Sequence, residues 1–200
     1  MIRAALLILG IAAAPATADT LPALFDVSGV SAGDSLNIRA EASSKAPVIG
    51  TLARDEKAVE LVALSKSGTW GQINAGEATG WVYLKYLSRQ PGEDWAQIAR
   101  TMRCFGTEPF WSLTLSPGAA DVRLEQPGMD EVRMALGAHG DGKASFGTDA
   151  QGGEIAMVAQ ACSDGMSDRA FGISMTGTLR PGLNGAAEPA ALTGCCTLKP

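Results

Sequence analysis

Short runs in which every second residue is apolar, broken by glycine, proline and small polar residues, extend from Phe25 to the end of the chain, and this period of two predicts strands. Between Phe25 and Leu87 the apolar positions Val27, Val30, Leu36, Ile38, Val48, Ile49, Leu52, Val59, Leu61 and Val62 form the first part of a predicted core. Trp70, Ile73, Trp81, Val82 and Leu84 complete it, the two tryptophans being read as core because a small barrel holds little else so large. After Cys104 the period returns: Trp111, Leu113 and Leu115 share one face, Val132, Met134 and Leu136 another, Phe171, Ile173 and Met175 a third. Strands are predicted over 109–115, 121–125, 131–136, 143–148, 154–161, 170–178 and 191–198. Turns are predicted at Gly118, Gly128, Gly137 to Gly140, Gly152-Gly153 and Gly182 to Gly185. No βαβ alternation and no GxGxxG loop is present, which excludes a doubly wound nucleotide-binding fold.

The pattern changes twice. At the N-terminus Arg3, the apolar run Ala4 to Ala14 and Ala16-Thr17-Ala18 before Asp19 have the three-part order of a secretory signal peptide. The run is shorter than the ~20 residues that a membrane span needs. No cysteine comes after it to accept a lipid, so the predicted mature protein starts near Asp19 without a membrane anchor. In the middle, Gln90-Pro91-Gly92 leads into a segment where Trp95, Ile98, Ala99 and Met102 recur at helical spacing, with Glu93 and Asp94 before them and Arg100 and Arg103 towards the end. That predicts one short amphipathic helix whose apolar stripe docks on the cysteine-containing half of the chain. The expected organisation is a signal peptide over 1–18, a small barrel over 19–90, a linker helix over 91–103 and a cysteine-containing β domain over 104–200.

Export makes disulfides the expected state of the four cysteines, Cys104, Cys162, Cys195 and Cys196. Neighbours in a strand point to opposite faces, so Cys195 and Cys196 each reach a different partner. The pairing is 104–195 with 162–196 or 104–196 with 162–195, ahead of a strained vicinal bond between Cys195 and Cys196. The net charge of -5 supplies no basic patch for nucleic acid or an anionic membrane. A single histidine, His139 in a glycine turn, leaves nucleophilic triads and zinc without ligands, and no metal or cofactor is expected.

In order along the chain, Ser35-Leu36-Asn37-Ile38-Arg39, Pro47-Val48-Ile49-Gly50, Gly68-Thr69-Trp70, Gly80-Trp81-Val82-Tyr83 and Tyr86-Leu87 resemble a bacterial SH3-like (SH3b) domain. The resemblance implies a small β-barrel of the kind attached to cell-wall hydrolases and envelope proteins, engaging peptidoglycan peptides or protein partners. Arg39, Tyr83 and Tyr86, with the loop Glu41 to Lys45, are the groove candidates.

Cys104-Phe-Gly-Thr-Glu-Pro-Phe-Trp111, Cys162-Ser-Asp-Gly-Met-Ser-Asp168 and Gly194-Cys195-Cys196 resemble the three signatures of a family of bacterial envelope proteins, often lipoproteins. That likeness implies an envelope location and a fold, and no activity. It departs at Phe171-Gly172, where the family tends to have an aromatic residue followed by proline, and in the missing lipid anchor. Glu108, Asp164 and Asp168 lie inside these motifs. As a converging set they are candidates for ligand binding, for Ca²⁺ or for paired acid–base work. The structural reading has Asp164 and Asp168 capping a tight loop and Glu108 meeting Arg103 or Arg169.

The expected whole is mainly β: a small SH3-like barrel and a disulfide-stapled antiparallel barrel or sandwich, joined by one short helix. The expected function is an exported periplasmic binding or adaptor protein whose partner is a peptidoglycan peptide or an envelope protein. Two other expectations are a cell-wall or glycan hydrolase using Glu108 with Asp164 or Asp168, and an inhibitor of a lysozyme-type hydrolase.

Overall fold

The structure, a computed structural model, describes residues 20–181, 183 and 188–199. The leader 1–18 with its cleavage point before Asp19, and most of the 182–185 turn, lie outside the described residues.

The first part is two small antiparallel sheets. Strands β1 (Ala23–Val27), β2 (Ser35–Arg39), β3 (Val48–Ala53), β4 (Val59–Leu61), β5 (Ala63–Leu64), β6 (Trp70–Ala75), β7 (Ala78–Tyr83) and β8 (Leu87–Arg89) are arranged as β4-β1-β8 and β3-β2-β7-β6-β5. Val27, Leu36, Ile38, Val59, Leu61, Ile73 and Val82 fill the space between them. Two predicted core pairs are corrected. Val48 and Ile49 are 49% and 47% exposed: β3 is an edge strand, and its pairing with β2 passes from Ile38–Gly50 to Arg39–Val48, a bulge at Ile49 that breaks the alternation. Trp70 and Trp81 are partly exposed, lying opposite Tyr83 and Gln72 respectively on the outside of the β6–β7 ladder.

The second part is a closed barrel of eight antiparallel strands, each paired with its sequence neighbour. They are β9 (Met102–Thr107), β10 (Phe110–Ser116), β11 (Asp121–Glu125), β12 (Val132–Gly140), β13 (Lys143–Gly147), β14 (Gly152–Cys162), β15 (Phe171–Leu179) and β16 (Ala190–Thr197), with β16 closing on β9. Eight strands enclose an interior that side chains can fill. Here Leu113, Leu115, Val122, Leu124, Met134, Phe146, Ile155, Met157, Ile173 and Met175 fill it, so function has to be sought on the outside.

The seven strands expected after Cys104 are present, and β9 is an eighth that the pattern did not reveal. The predicted linker helix is corrected: it is one 3-10 turn, Trp95–Gln97, capped by the Asp94 side chain, which accepts from the Ala96 N–H. The turn stops at Ile98, whose φ of 52° is left-handed. Met102 and Arg103 belong to β9, opposite Leu115 and Thr114, since a ladder position in the barrel outweighs a weak local helical preference. Three of the four stripe residues dock as expected, with Ile98 and Met102 inside the barrel core and Trp95 packed against it, while Ala99 is exposed. The predicted turns at 137–140 and 152–153 are also strand. The first holds a bulge between Leu136 and His139, and at the second a Cβ on Gly153 would press on the Thr178 carbonyl.

Candidate functional site

The cysteine motifs meet where the barrel closes. Cys104 and Cys196 are directly opposite in β9 and β16, with Cα atoms 4.0 Å apart, and their disulfide lies in the barrel core. Cys195, one residue earlier and on the other face, reaches Cys162 at the end of β14, with a Cα separation of 5.7 Å. Of the two cross-bridged arrangements, the structure takes 104–196 with 162–195. The glycines of the first and third motifs have a steric reason. A Cβ on Gly106 would meet the Trp111 indole Nε1, and one on Gly194 would meet the Phe105 carbonyl, with Trp111 Cζ2 at 3.1 Å. Both are bare so that the Trp111 ring can lie across the closing strands.

The middle motif is a loop held by its own aspartate. Asp164 Oδ1 accepts from the Met166 N–H at 3.0 Å and the Ser167 N–H at 2.9 Å, and Oδ2 accepts from the Ser167 hydroxyl at 2.8 Å. Burial works to raise the Asp164 pKa, but these hydrogen bonds and nearby Arg169 outweigh it and hold the carboxyl below its usual range. Thr107 Oγ1 donates to the Asp164 carbonyl at 3.0 Å, which ties the first motif to the second.

The same loop docks on the first part of the chain. Asp168 donates its N–H to the Glu77 carbonyl at 2.9 Å, and the Asn74 amide clamps Ala170, donating to its carbonyl at 2.9 Å and accepting from its N–H at 3.0 Å. Glu60 supplies a third link, accepting from the Leu198 N–H at 3.0 Å and from the Thr197 hydroxyl. Burial pushes the Glu60 carboxyl up, against the hydrogen bonds from Thr197 and Leu198 and the charges of Lys199 and Arg169.

Between these links lies a cleft of about 950 Å³. Glu56, Glu60, Asn74 and Glu77 line it from the first part, and Arg103, Phe110, Asp164, Arg169 and Lys199 from the barrel. Asp164 thus reaches the cleft with its carboxylate oxygens already bonded in its own loop. Glu108 is exposed at the β9–β10 turn and is not among the lining residues. Among the described residues it makes no ion pair with Arg103 or Arg169, a correction to the expected contact. Asp168 contributes its backbone. No group of three or more His, Cys, Asp or Glu side chains able to hold a metal ion occurs among the described residues. Glu60, Asn74 and Glu77 could not be picked out from the sequence: they carry no local signature and matter through the parts of the barrel brought against them.

A second groove of about 730 Å³ lies within the first part, lined by Asp34, Arg39, Trp70, Tyr83 and Tyr86 among others. Trp70 and Tyr83 have ring centroids 5.3 Å apart, and Tyr83 and Tyr86 meet edge to face at 6.1 Å. Tyr83 is 38% exposed, so the aromatic run presents a surface to solvent. Arg39 Nη1 donates to the Ala46 carbonyl at 2.7 Å, holding the loop between β2 and β3 beside the groove. Three of the expected groove residues, Arg39, Tyr83 and Tyr86, therefore sit together, and Trp70, expected in the core, joins them.

Comparison with known proteins agrees with this part of the chain: residues 34–88 match the family model of the bacterial SH3 domain. The match begins just before β2 and ends in β8; β1 completes the smaller sheet from outside it. No curated protein and no solved structure matches the chain. The SH3 domain and the two disulfides fit an extracytoplasmic protein. Among the described residues no helix is long and apolar enough to cross a membrane.

Proposed function

We propose that this is an exported envelope protein that binds and does not catalyse, with the SH3 domain taking a cell-wall peptide or a peptide segment of an envelope protein. The proposed organisation keeps the leader over 1–18, the SH3 domain over 19–90 and the cysteine-containing domain over 104–200, with 91–103 as a joint that carries the 3-10 turn Trp95–Gln97 and runs into β9 at Met102. One observation carries the reading: the contiguous rings of Trp70, Tyr83 and Tyr86 flank an open groove beside Arg39. Rings with an apolar face and a polar edge suit a peptide whose backbone still needs hydrogen-bonding partners. The second domain carries the envelope-family motifs, which act here as staples for the barrel and as its contact with the SH3 domain.

Sedimentation of the oxidised protein with purified sacculi tests this. The wild type is expected to co-sediment without releasing muropeptides, and Tyr83→Ala and Trp70→Ala to weaken binding about tenfold, the scale of 1.4 kcal/mol. Muropeptide release, or unchanged binding in both variants, would remove the reading.

A further inference from the structure

We propose that the cleft between the SH3 domain and the barrel is a second binding site, for a short peptide carrying both a free ammonium group and a free carboxylate. This site is separate from the aromatic groove, and the way charge is divided between its two walls points to its ligand.

On the SH3 wall every charged lining residue is acidic, Glu56, Glu60 and Glu77, and since both oxygens of Glu60 are engaged by Leu198 and Thr197, Glu56 and Glu77 are the ones that face a ligand. On the barrel wall the basic groups are Arg103, Arg169 and Lys199. That wall also has two carboxylates, but Asp164 is bonded within its loop and Glu125 Oε2 accepts from the Ser112 hydroxyl at 2.7 Å. Among the described residues no ion pair within 4.0 Å involves Arg103, Arg169, Lys199, Glu56 or Glu77, although the charges of Lys199 and Arg169 act at longer range on Glu60 and that of Arg169 on Asp164. A ligand with a cation at one end and an anion at the other can satisfy both walls at once. A purely anionic or purely cationic ligand would be repelled by one of them.

Size and texture narrow the class. A volume of about 950 Å³ lies within the range of small-ligand sites, roughly 300–1,000 Å³, and admits a few residues of peptide. Phe110, 50% exposed although it begins a barrel strand, and Met166 give the cleft an apolar edge for the aliphatic part of such a peptide. The walls are spaced by the links of Asn74 to Ala170, Glu77 to Asp168 and Glu60 to Leu198, so the site is already assembled when a ligand arrives. Stem peptides of the cell wall and free periplasmic peptides both have this chemistry.

The test is calorimetric titration of the full oxidised protein with tetra-alanine bearing free termini, with its N-acetylated form, with its C-amidated form, and with soluble muropeptides. Binding by at least one zwitterionic probe is expected, with each blocked tetra-alanine at least tenfold weaker than the free one. Arg103→Glu, and separately Glu77→Lys, should each weaken that binding at least tenfold while leaving the melting temperature and disulfides intact. Preference for muropeptides assigns the cell wall as the source, and preference for tetra-alanine assigns free peptide. No binding by any probe, equal binding of the blocked forms, or indifference to the charge reversals would overturn the proposal. Binding of the tetra-alanine or muropeptide probes that depends on Tyr83 and ignores the charge reversals would sink this site and leave the aromatic groove standing.

Discussion

The Glu60 carboxylate on the SH3 domain accepts the Leu198 N–H at 3.0 Å, so a strand of one half holds the chain just beyond the last strand of the other. Burial raises the pKa of this carboxylate above its ordinary 4.5, against the hydrogen bonds from Thr197 and Leu198 that lower it.

A group whose folded pKa is raised contributes stability that is fully present below the unfolded value of 4.5 and is lost as pH rises through the folded value. Glu60→Gln keeps an acceptor for Leu198 and removes the titration. The variant is expected to be at least as stable as the wild type at pH 7 and to lose the part of the acid-range stability slope that Glu60 contributes. Denaturant midpoints measured between pH 4 and pH 8 would show it, and an unchanged slope would contradict it.

Asn74→Ala removes both hydrogen bonds to Ala170 and leaves a part-buried N–H and carbonyl without their partner. The expected cost is about 1–3 kcal/mol, the desolvation penalty of orphaned polar groups. Hydrogen exchange at Ala170 and Asp168 should accelerate while the barrel core stays protected. Exchange that is unchanged at both amides would mean that the loop is held by the barrel alone.

Non-reducing peptide mapping should recover 104–196 and 162–195 as the two disulfide-linked pairs. Replacing Cys104 and Cys196 together by alanine is expected to cost about 2–5 kcal/mol, as for native bridges that close long loops. A vicinal 195–196 bridge in the map would contradict the structure directly.

Gly194→Ala places a methyl against the Phe105 carbonyl and 3.1 Å from Trp111 Cζ2, at the seam of the barrel. Overpacking of this kind typically costs about 1–3 kcal/mol. Thermal melts should show the loss, with near-ultraviolet dichroism of the tryptophans changing as Trp111 shifts. Gly118→Ala, where a Cβ meets nothing within 4 Å, is the matched control and should fall within about 0.5 kcal/mol of wild type.

Most of the barrel is legible in the sequence because period two is a local property. The alternation around Leu113, Met134 and Ile173 marks strands wherever the flanking residues are turn formers. β9 is not legible, since Cys104 and Gly106 are apolar by burial and packing more than by composition, and the helical spacing of Ile98 and Met102 competes with them. Within the SH3 domain, Tyr83 and Tyr86 can be read as groove residues from their place in the motif. Trp70 cannot, because hydrophobic size alone does not tell a core ring from a ring on the outer face of a strand.

The order of apolar and polar residues by itself determined the β class and the fact that Cys195 and Cys196 need different partners, since each rests on neighbours along the chain, and the resemblance of its motifs pointed to the SH3 domain. Only the tertiary structure decided that Cys104 faces Cys196, that Asn74 grips Ala170 and that acidic and basic walls confront each other across a cleft. Those relationships join residues far apart along the chain: closure of β16 on β9 sets Cys104 opposite Cys196, and the docking of the barrel on the SH3 domain brings Asn74 to Ala170 and Glu60 to Leu198.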